Sequence, residues 1–326
     1  MKKCLMLAVF LSSLFFIFAC EKDSEKISER NENQGNGKIN ITTTIFPLYD
    51  FIRQIAGDKA NLKMLLPLGA ESHSYEPTPQ DIIDIQNSSL FVYIGGESDE
   101  WMNKIFSSMN MEKMKLVKLI DSVNAVEEEI VEGMQEEGKE EGEGETENEE
   151  KEYDEHLWTS PRNAIRIVEV ITAALSELDT ANAKFYRRNS DEYITKLTVL
   201  DLKFKSVVKD SEKRVIVFGD RFPLRYFADE YNLKYFAAFP GCSAETEPSA
   251  KTLAFLIDKI KSEKIPVVFH IELSNEKIAK TISEATGAKN LLFHSVHNVS
   301  KEDFDSGKGY FELMDANVQN LKTALE

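Results

Sequence analysis

Four of the five histidines in this 326-residue chain lie just beyond predicted strands or flank a long acidic stretch. His73 lies in GAESHSYEPTPQD, His156 in DEHLWTSPRNA, and His294 and His297 in LLFHSVHNVS. Imidazole is the most common ligand of metals such as Zn²⁺, and histidines from distant segments can meet where one helix face could not hold them. Three histidines in comparable loop positions therefore favour a metal site over unrelated core or surface roles.

Two carboxylates follow other predicted strands of the second half. Asp220 and Glu272 each come directly after a short apolar run, and ligands of open parallel sheets bind beyond the carboxyl ends of the strands. Asp220 is a candidate oxygen ligand, whereas Glu272 is expected mainly to tie down a loop. His270 lies inside a strand and is expected to be structural, and His297 is expected to be solvated or to support a ligand.

Apolar β-type runs alternate with helical patterns along the chain, which indicates parallel sheets covered on both faces. Two such sets predict an α/β protein with two parallel-sheet lobes. The predicted strands are 39–45, 62–66, 90–94, 115–120, 215–218, 235–239, 267–271 and 290–293. The predicted helices are 47–56, 78–87, 101–109, 163–178, 223–231, 248–263, 275–286 and 308–325.

One long helix is expected to join the lobes. From Asp179 to about Asp210 the chain has no Pro or Gly, and its apolar residues recur at intervals of three, four or seven. About 30 residues at 1.5 Å per residue span about 45 Å, enough to run along both lobes and limit their hinge motion. Because His73 and His156 belong to the first lobe and His294 to the second, the metal site is expected in the interlobe cleft.

The N-terminus resembles a secretory signal. Met1-Lys2-Lys3 precedes a 15-residue apolar run, shorter than the ~20 residues of a bilayer span, although a short membrane anchor stays open as an alternative. The sequence Ile17-Phe18-Ala19-Cys20 looks like a bacterial lipobox, so Cys20 is the expected lipidation site. We therefore expect an extracytoplasmic, membrane-anchored lipoprotein with a polar tether. The single cysteine of the folded part, Cys242, is expected to pack rather than react.

The formal net charge of −17 is concentrated in one segment. Residues 127–155 hold 16 acidic residues against two lysines, so the rest of the chain is nearly neutral. Such a block should be disordered, and the lack of a basic patch argues against nucleic-acid binding. The acidic loop either collects cations near the cleft or is a dispensable spacer. The expected organisation is a signal peptide (1–19), a lipidated tether (20–37), an N-terminal lobe (38–178, including acidic loop 127–155), a backbone helix (179–212) and a C-terminal lobe (213–326).

Several motifs resemble the substrate-binding proteins of bacterial zinc and manganese ABC importers, in the cluster with a rigid backbone helix. The similar motifs are TTTIFPLYDFIRQIAGD, LLPLGAESHSYEPTPQD, the acidic insert before DEHLWTSPRNA, GCSAETEPSAKTL and ELSNEKIAKTISEATGAKNL. The resemblance covers residues 39–326. It implies metal ligands at His73, His156 and His294.

The third ligand position of that family falls on Arg221, counted back from Tyr226 and Phe227. A guanidinium stays protonated and cannot ligate a cation. Either Asp220 supplies the missing ligand, or three histidines and a water complete the site. Arg221 is expected to pair with Asp220 or Glu272 if its role is structural.

The resemblance implies capture of Zn²⁺ for an ABC permease and its ATPase subunit by a monomeric, non-enzymatic receptor. Three imidazoles and at most one carboxylate suit Zn²⁺ better than Mn²⁺, which prefers more oxygen donors. A manganese receptor of the same family, a surface adhesin and a secreted zinc hydrolase are the alternatives. No HExxH motif supports the hydrolase.

Overall fold

The fold is built from two four-stranded parallel sheets, each covered by helices, in a computed structural model that describes residues 37–71, 75–134, 152–243 and 247–326. In the first sheet the strands β1 (Ile39–Thr43), β2 (Ala60–Met64), β3 (Leu90–Tyr93) and β4 (Lys115–Lys118) lie in the order β2-β1-β3-β4. In the second, β5 (Val215–Phe222), β6 (Lys234–Pro240), β7 (Val267–His270) and β8 (Lys289–Leu292) lie in the order β6-β5-β7-β8.

Ten α-helices are present in the described part of the chain. The first lobe holds α1 (Phe46–Ala56), α2 (Pro79–Gln86), α3 (Trp101–Phe106) and α4 (Pro161–Leu178), and α5 (Ala183–Asp210) follows. The second lobe holds α6 (Arg225–Glu230), α7 (Ala250–Glu263), α8 (Lys277–Thr286), α9 (Lys301–Asp305) and α10 (Tyr310–Leu325). The two-lobed α/β prediction is confirmed; the short helix α9 was not predicted. None of the described helices combines the length and apolar character needed to cross a bilayer.

Helix α5 packs against both lobes. In its N-terminal half, the ring centroid of Tyr193 lies 6.1 Å from that of Phe51 in α1. Further along, Phe204 meets the ring of Phe227 in α6 at 4.8 Å. Its 28 residues correspond to about 42 Å of helix, so a single element supports the two sheets together.

The beginning of α5 differs from the prediction. Asp179 does not cap this helix; it ends α4 instead, and its carboxylate accepts hydrogen bonds from the backbone N–H of Asn182 and from the hydroxyl of Tyr186. A short turn therefore separates α4 from α5. Sequence periodicity located the helix but could not show this turn, because the turn contains neither Pro nor Gly.

Candidate metal centre

A small cavity opens between the two lobes, at the carboxyl ends of the second sheet. Its volume is about 30 Å³, enough for a single ion or water molecule and little more. The first lobe contributes Ala70 and Glu71, which follow β2, and His156, which precedes α4. The second lobe contributes residues within or after each of its strands, namely Arg221, Pro223, Gly241, Ile271, Glu272, Leu273, Ser295, His297 and Asn298.

His156 is fully buried and held by Asp154. The Asp154 carboxylate accepts the backbone N–H of His156 at 2.8 Å and lies 3.1 Å from its Nδ1. Burial acts to lower the pKa of His156, but the charge and hydrogen bond of Asp154 outweigh it, so the pKa lies above its usual value. A carboxylate at Nδ1 favours the tautomer in which Nε2 is unprotonated, the form in which an imidazole can bind a metal.

The backbone of the second sheet approaches His156 closely at Gly241. A Cβ at this position would lie 3.2 Å from Cε1 of His156 and 3.0 Å from the carbonyl oxygen of Phe222. A side chain here would therefore press on the imidazole, so the absence of one allows the second lobe to close over the ring.

His297 faces His156 across the cleft. Their ring centroids lie 5.2 Å apart, and the ring of Trp158 lies 5.0 Å from that of His297. His297 follows β8 by five residues and is half-buried. Imidazoles at this separation can bind one ion after small rotations, so His297 is a stronger ligand candidate than its sequence context suggested.

Glu272 holds the loop that carries His297. Its Oε1 accepts the backbone N–H of His297 at 2.9 Å and the hydroxyl of Ser295 at 2.6 Å, while Oε2 accepts the backbone N–H of Ser295 at 2.7 Å. Both oxygens thus serve the loop, as expected for a residue that ties it down. His270, also expected to be structural, lies 2.7 Å from Asn290 through its Nδ1.

His294 and Asp220, both expected as ligands, are not among the residues that line the cavity. Nδ1 of His294 accepts the backbone N–H of Val296 at 3.0 Å. The side-chain amide of Asn317 accepts the backbone N–H of His294 and donates to its carbonyl oxygen. Asp220 lies inside β5 and accepts the backbone N–H groups of Arg221 and Ile271. Either residue would have to break hydrogen bonds to reach an ion in the cavity.

Arg221 reaches the cavity wall and pairs with Glu71 of the first lobe, not with the Asp220 or Glu272 carboxylates considered from the sequence. Its Nη2 lies 2.5 Å from Oε2 of Glu71, and its Nη1 donates to the carbonyl oxygen of Ser243 at 3.3 Å. This ion pair joins the two lobes across the cleft. Strand and loop patterns in the sequence do not reveal it, because Arg221 and Glu71 belong to distant segments.

His73 and Cys20 lie outside the described residues, so their predicted roles stay predictions. The described chain reaches the cavity wall at Glu71, two residues before His73 in sequence. Among the residues described, no three His, Cys, Asp or Glu side chains are grouped so that they could hold a metal ion. A complete ligand set therefore requires His73 or a rearrangement of the loops.

The ends of the acidic loop pair with each other and bind the second lobe. Glu127 and Tyr153 form an antiparallel bridge, and the Tyr226 hydroxyl donates to the carbonyl oxygen of Asp154. Glu129 forms an ion pair with Arg225 at 2.5 Å. Residues 135–151, which make up most of the segment expected to be disordered, lie outside the described residues.

Beside these ends lies a larger pocket of about 680 Å³ with an acidic lining. Burial raises the pKa of Asp99 to about 7, although the backbone N–H groups of Gly95 and Ile94 oppose the shift. Cys242 lies in the same wall; burial raises its pKa, and its backbone N–H donates to Glu128 at 2.9 Å. A thiol held in its protonated form is a poor nucleophile, which agrees with a packing role.

The family model described as the periplasmic zinc-uptake complex component A matches residues 41–324. The chain belongs to this family. The high-affinity zinc uptake system protein ZnuA of Bacillus subtilis is 34% identical over 324 residues, which cover 99% of this chain and 98% of that protein. The zinc-binding lipoprotein AdcA of Streptococcus pneumoniae is 32% identical over 325 residues, but the chain spans only 61% of its length.

A solved structure of a relative has the same fold. The Zn(II)-bound ZnuA-like domain of Streptococcus pneumoniae AdcA aligns with a TM-score of 0.72 and 30% sequence identity, covering 89% of this chain and 99% of that domain. Membership of the zinc-importer branch, read from the sequence motifs, is therefore confirmed.

Proposed function

We propose that this protein is an extracytoplasmic receptor that captures Zn²⁺ between its two lobes and delivers it to the permease of an ABC importer. The observation that carries the proposal is the pair His156 and His297, which face each other from different lobes across a cavity of about 30 Å³. Family membership supports the transport role, since relatives are named for zinc uptake and zinc binding.

The proposed ligands are His73, His156 and His297. His73 is proposed from its motif, and His297 is preferred to His294 because it lines the cavity. His294 and Asp220 are alternative ligands that would have to exchange present hydrogen bonds for the ion. Three neutral imidazoles and a water suit tetrahedral Zn²⁺.

The remaining features of the proposal follow from the same geometry. A small cavity flanked by two facing imidazoles suits a single ion, which supports a receptor rather than a hydrolase. One chain supplies both walls, which supports a monomer. Lipidation at Cys20 would keep the receptor at the membrane near its permease and ATPase partners.

The two lobes are already joined by hydrogen bonds at the cavity, and a bound ion would add a further link between them. The side-chain amide of Asn298 donates to the carbonyl oxygens of Pro67 and Ala70, each at 2.8 Å, and so joins the loop after β8 to the segment that leads to His73. The permease would have to separate such contacts to release the ion.

Metal content and competition test the proposal. Mass spectrometry of the soluble chain from residue 21, purified without chelator, should give one zinc per chain. Titration against a chromophoric chelator should then show that Mn²⁺ does not displace it. Absence of any bound metal after loading with excess zinc would contradict the receptor function.

A further inference from the structure

We infer that helix α10 sets the separation between the facing imidazoles of His156 and His297. Tyr310 holds the segment that carries the first imidazole, and Asn317 holds the loop that carries the second. The inference rests on the proposed function, because it concerns how these two proposed ligands are positioned. Residues that orient metal ligands contribute to affinity without touching the ion.

The start of α10 is fixed to the first lobe. The backbone N–H of Tyr310 donates to the carboxylate of Asp50 in α1 at 2.8 Å, and the ring centroids of Tyr310 and Phe51 lie 4.9 Å apart. Asp50 approaches this closely because Gly309 has no side chain; a Cβ there would lie 2.6 Å from the carboxylate. The helix then runs along the second sheet, so it contacts both lobes.

The hydroxyl of Tyr310 reaches the segment that carries His156. Tyr310 is fully buried, and its hydroxyl donates to the carbonyl oxygen of Trp158 at 2.6 Å. The turn from His156 to Thr159 is tightly bonded, because Thr159 donates to the carbonyl oxygen of His156 from its backbone N–H at 3.1 Å and from its hydroxyl at 2.8 Å. A shift of the Trp158 carbonyl would therefore move His156 with it.

Asn317 holds the start of the loop that carries His297. It lies seven residues after Tyr310, which is two helical turns or about 10 Å further along the same face of α10. Asn317 is buried, and both ends of its amide bind the backbone of His294, each at 2.8 Å. Both polar groups of this side chain therefore serve the loop.

The path from His294 to His297 is constrained at Val296. This buried residue has a φ of 62°, in the left-handed region that β-branched residues rarely adopt. Its backbone N–H donates to Nδ1 of His294, and Glu272 accepts the backbone N–H of His297. These hydrogen bonds hold the loop in one conformation, so a shift at His294 would be passed on to His297.

Helix α10 thus acts as a spacer of fixed length. Two side chains on one of its faces bind the two segments whose imidazole centroids lie 5.2 Å apart. A helix changes length little, because each residue adds a fixed rise of 1.5 Å. The separation of the imidazoles therefore depends on both hydrogen-bonding contacts of α10.

Removal of single polar groups from α10 tests this inference. Zinc affinity would be measured by chelator competition for the wild-type chain, Tyr310→Phe and Asn317→Ala. Tyr310→Phe deletes one oxygen and keeps the buried ring, and it should weaken zinc binding by about tenfold. Asn317→Ala should weaken it by at least as much. The visible absorption spectrum of bound Co²⁺ should also change, because it depends on the coordination geometry.

Two matched controls separate positioning from general stability. Tyr231→Phe removes another buried tyrosine hydroxyl, which donates to Asp201 at 3.0 Å and is not at the cavity. Asn320→Ala removes an amide from the same helix, where it donates to the carbonyl oxygen of Leu292 in β8. Both should keep the wild-type zinc affinity and Co²⁺ spectrum, even where the melting temperature falls.

Each outcome decides between the explanations. Weaker zinc binding with an altered Co²⁺ spectrum in Tyr310→Phe, and neither change in Tyr231→Phe, supports the inference. Wild-type affinity in Tyr310→Phe would overturn it, as would an equal loss in Tyr231→Phe. A wild-type chain that binds neither zinc nor cobalt would instead contradict the proposed function.

Discussion

The indole N–H of Trp158 donates to the carbonyl oxygen of Ser295 at 2.8 Å, joining the two lobes at the cavity. Trp158 follows His156 by two residues, and Ser295 precedes His297 by two. This hydrogen bond therefore fixes the distance between the segments that carry the two facing imidazoles.

Trp158→Phe should weaken zinc binding by about tenfold, because the two segments lose their direct link. The loss of a buried hydrogen bond and of part of the indole should also lower the free energy of unfolding by about 2 kcal/mol. Chelator competition and urea denaturation measure the two effects. Trp101→Phe, which alters a tryptophan that contacts Tyr75 instead, serves as the control. Equal effects of both changes on affinity would contradict the role given to Trp158.

Asp154→Asn should lower zinc affinity by about 10- to 100-fold, the usual range for a residue that orients a ligating imidazole. The amide can present either end to Nδ1 of His156, so it no longer enforces the tautomer in which Nε2 is unprotonated. Isothermal titration would measure the affinity, and Asp58→Asn, at an exposed aspartate in the turn after α1, is the matched control. Wild-type affinity in Asp154→Asn would argue that His156 binds metal without this support.

His297→Ala, His73→Ala and His156→Ala should each reduce zinc affinity by about two orders of magnitude or more while the fold persists. His294→Ala should instead act on stability, with a loss of about 1 kcal/mol, because Val296 loses its hydrogen-bond acceptor. Competition titrations with thermal melts would separate the two, and His270→Ala is the control. A larger loss of affinity in His294→Ala than in His297→Ala would reverse the assignment.

Replacing residues 135–151 by a neutral Gly-Ser linker of equal length should slow zinc association several-fold at low ionic strength. The difference should vanish at high salt, because attraction between exposed charges is screened beyond about 8 Å at physiological ionic strength. Stopped-flow measurements across a salt series would show it. Melting temperature should not change, because the paired ends of the loop remain. Identical association rates at every salt concentration would identify the loop as a spacer.

Stability should fall as the pH rises from 5 to 8, owing to Asp99. Burial raises its pKa to about 7 in the folded protein, whereas an unfolded aspartate titrates near its ordinary value of about 3.9. Between these values the folded state binds the extra proton, so stability is lost as the pH rises through 7.

We expect this group to contribute a loss of about 2 kcal/mol over that range, since some solvent access limits the shift. Asp99→Asn should remove this part of the pH dependence, because an amide carries no charge yet can still accept from Gly95 and Ile94. Urea denaturation of both proteins at pH 5 and pH 8 is the measurement. Parallel pH profiles would show that Asp99 is not the cause.

The sequence predicted the fold closely because its strands are continuous apolar runs separated by helices with recognisable ends. Ser160 and Pro161 mark the start of α4, and the Ser160 side chain accepts the backbone N–H of Asn163 as a cap should. The predicted site was less complete. The choice between His294 and His297 depends on contacts with Asn317 and Glu272, which come from distant elements. The pairing of Arg221 with Glu71 likewise joins segments 150 residues apart.

The bridge between Glu127 and Tyr153 has an evolutionary consequence. Because the two ends of the acidic loop are paired and anchored to the second lobe, residues inserted or deleted between them do not change the register of the chain that enters His156. Loop closure costs rise only slowly with length, so the insert can drift in length and composition at little cost in stability. The length and charge of this insert can thus change over evolution while the cavity next to His156 is inherited intact.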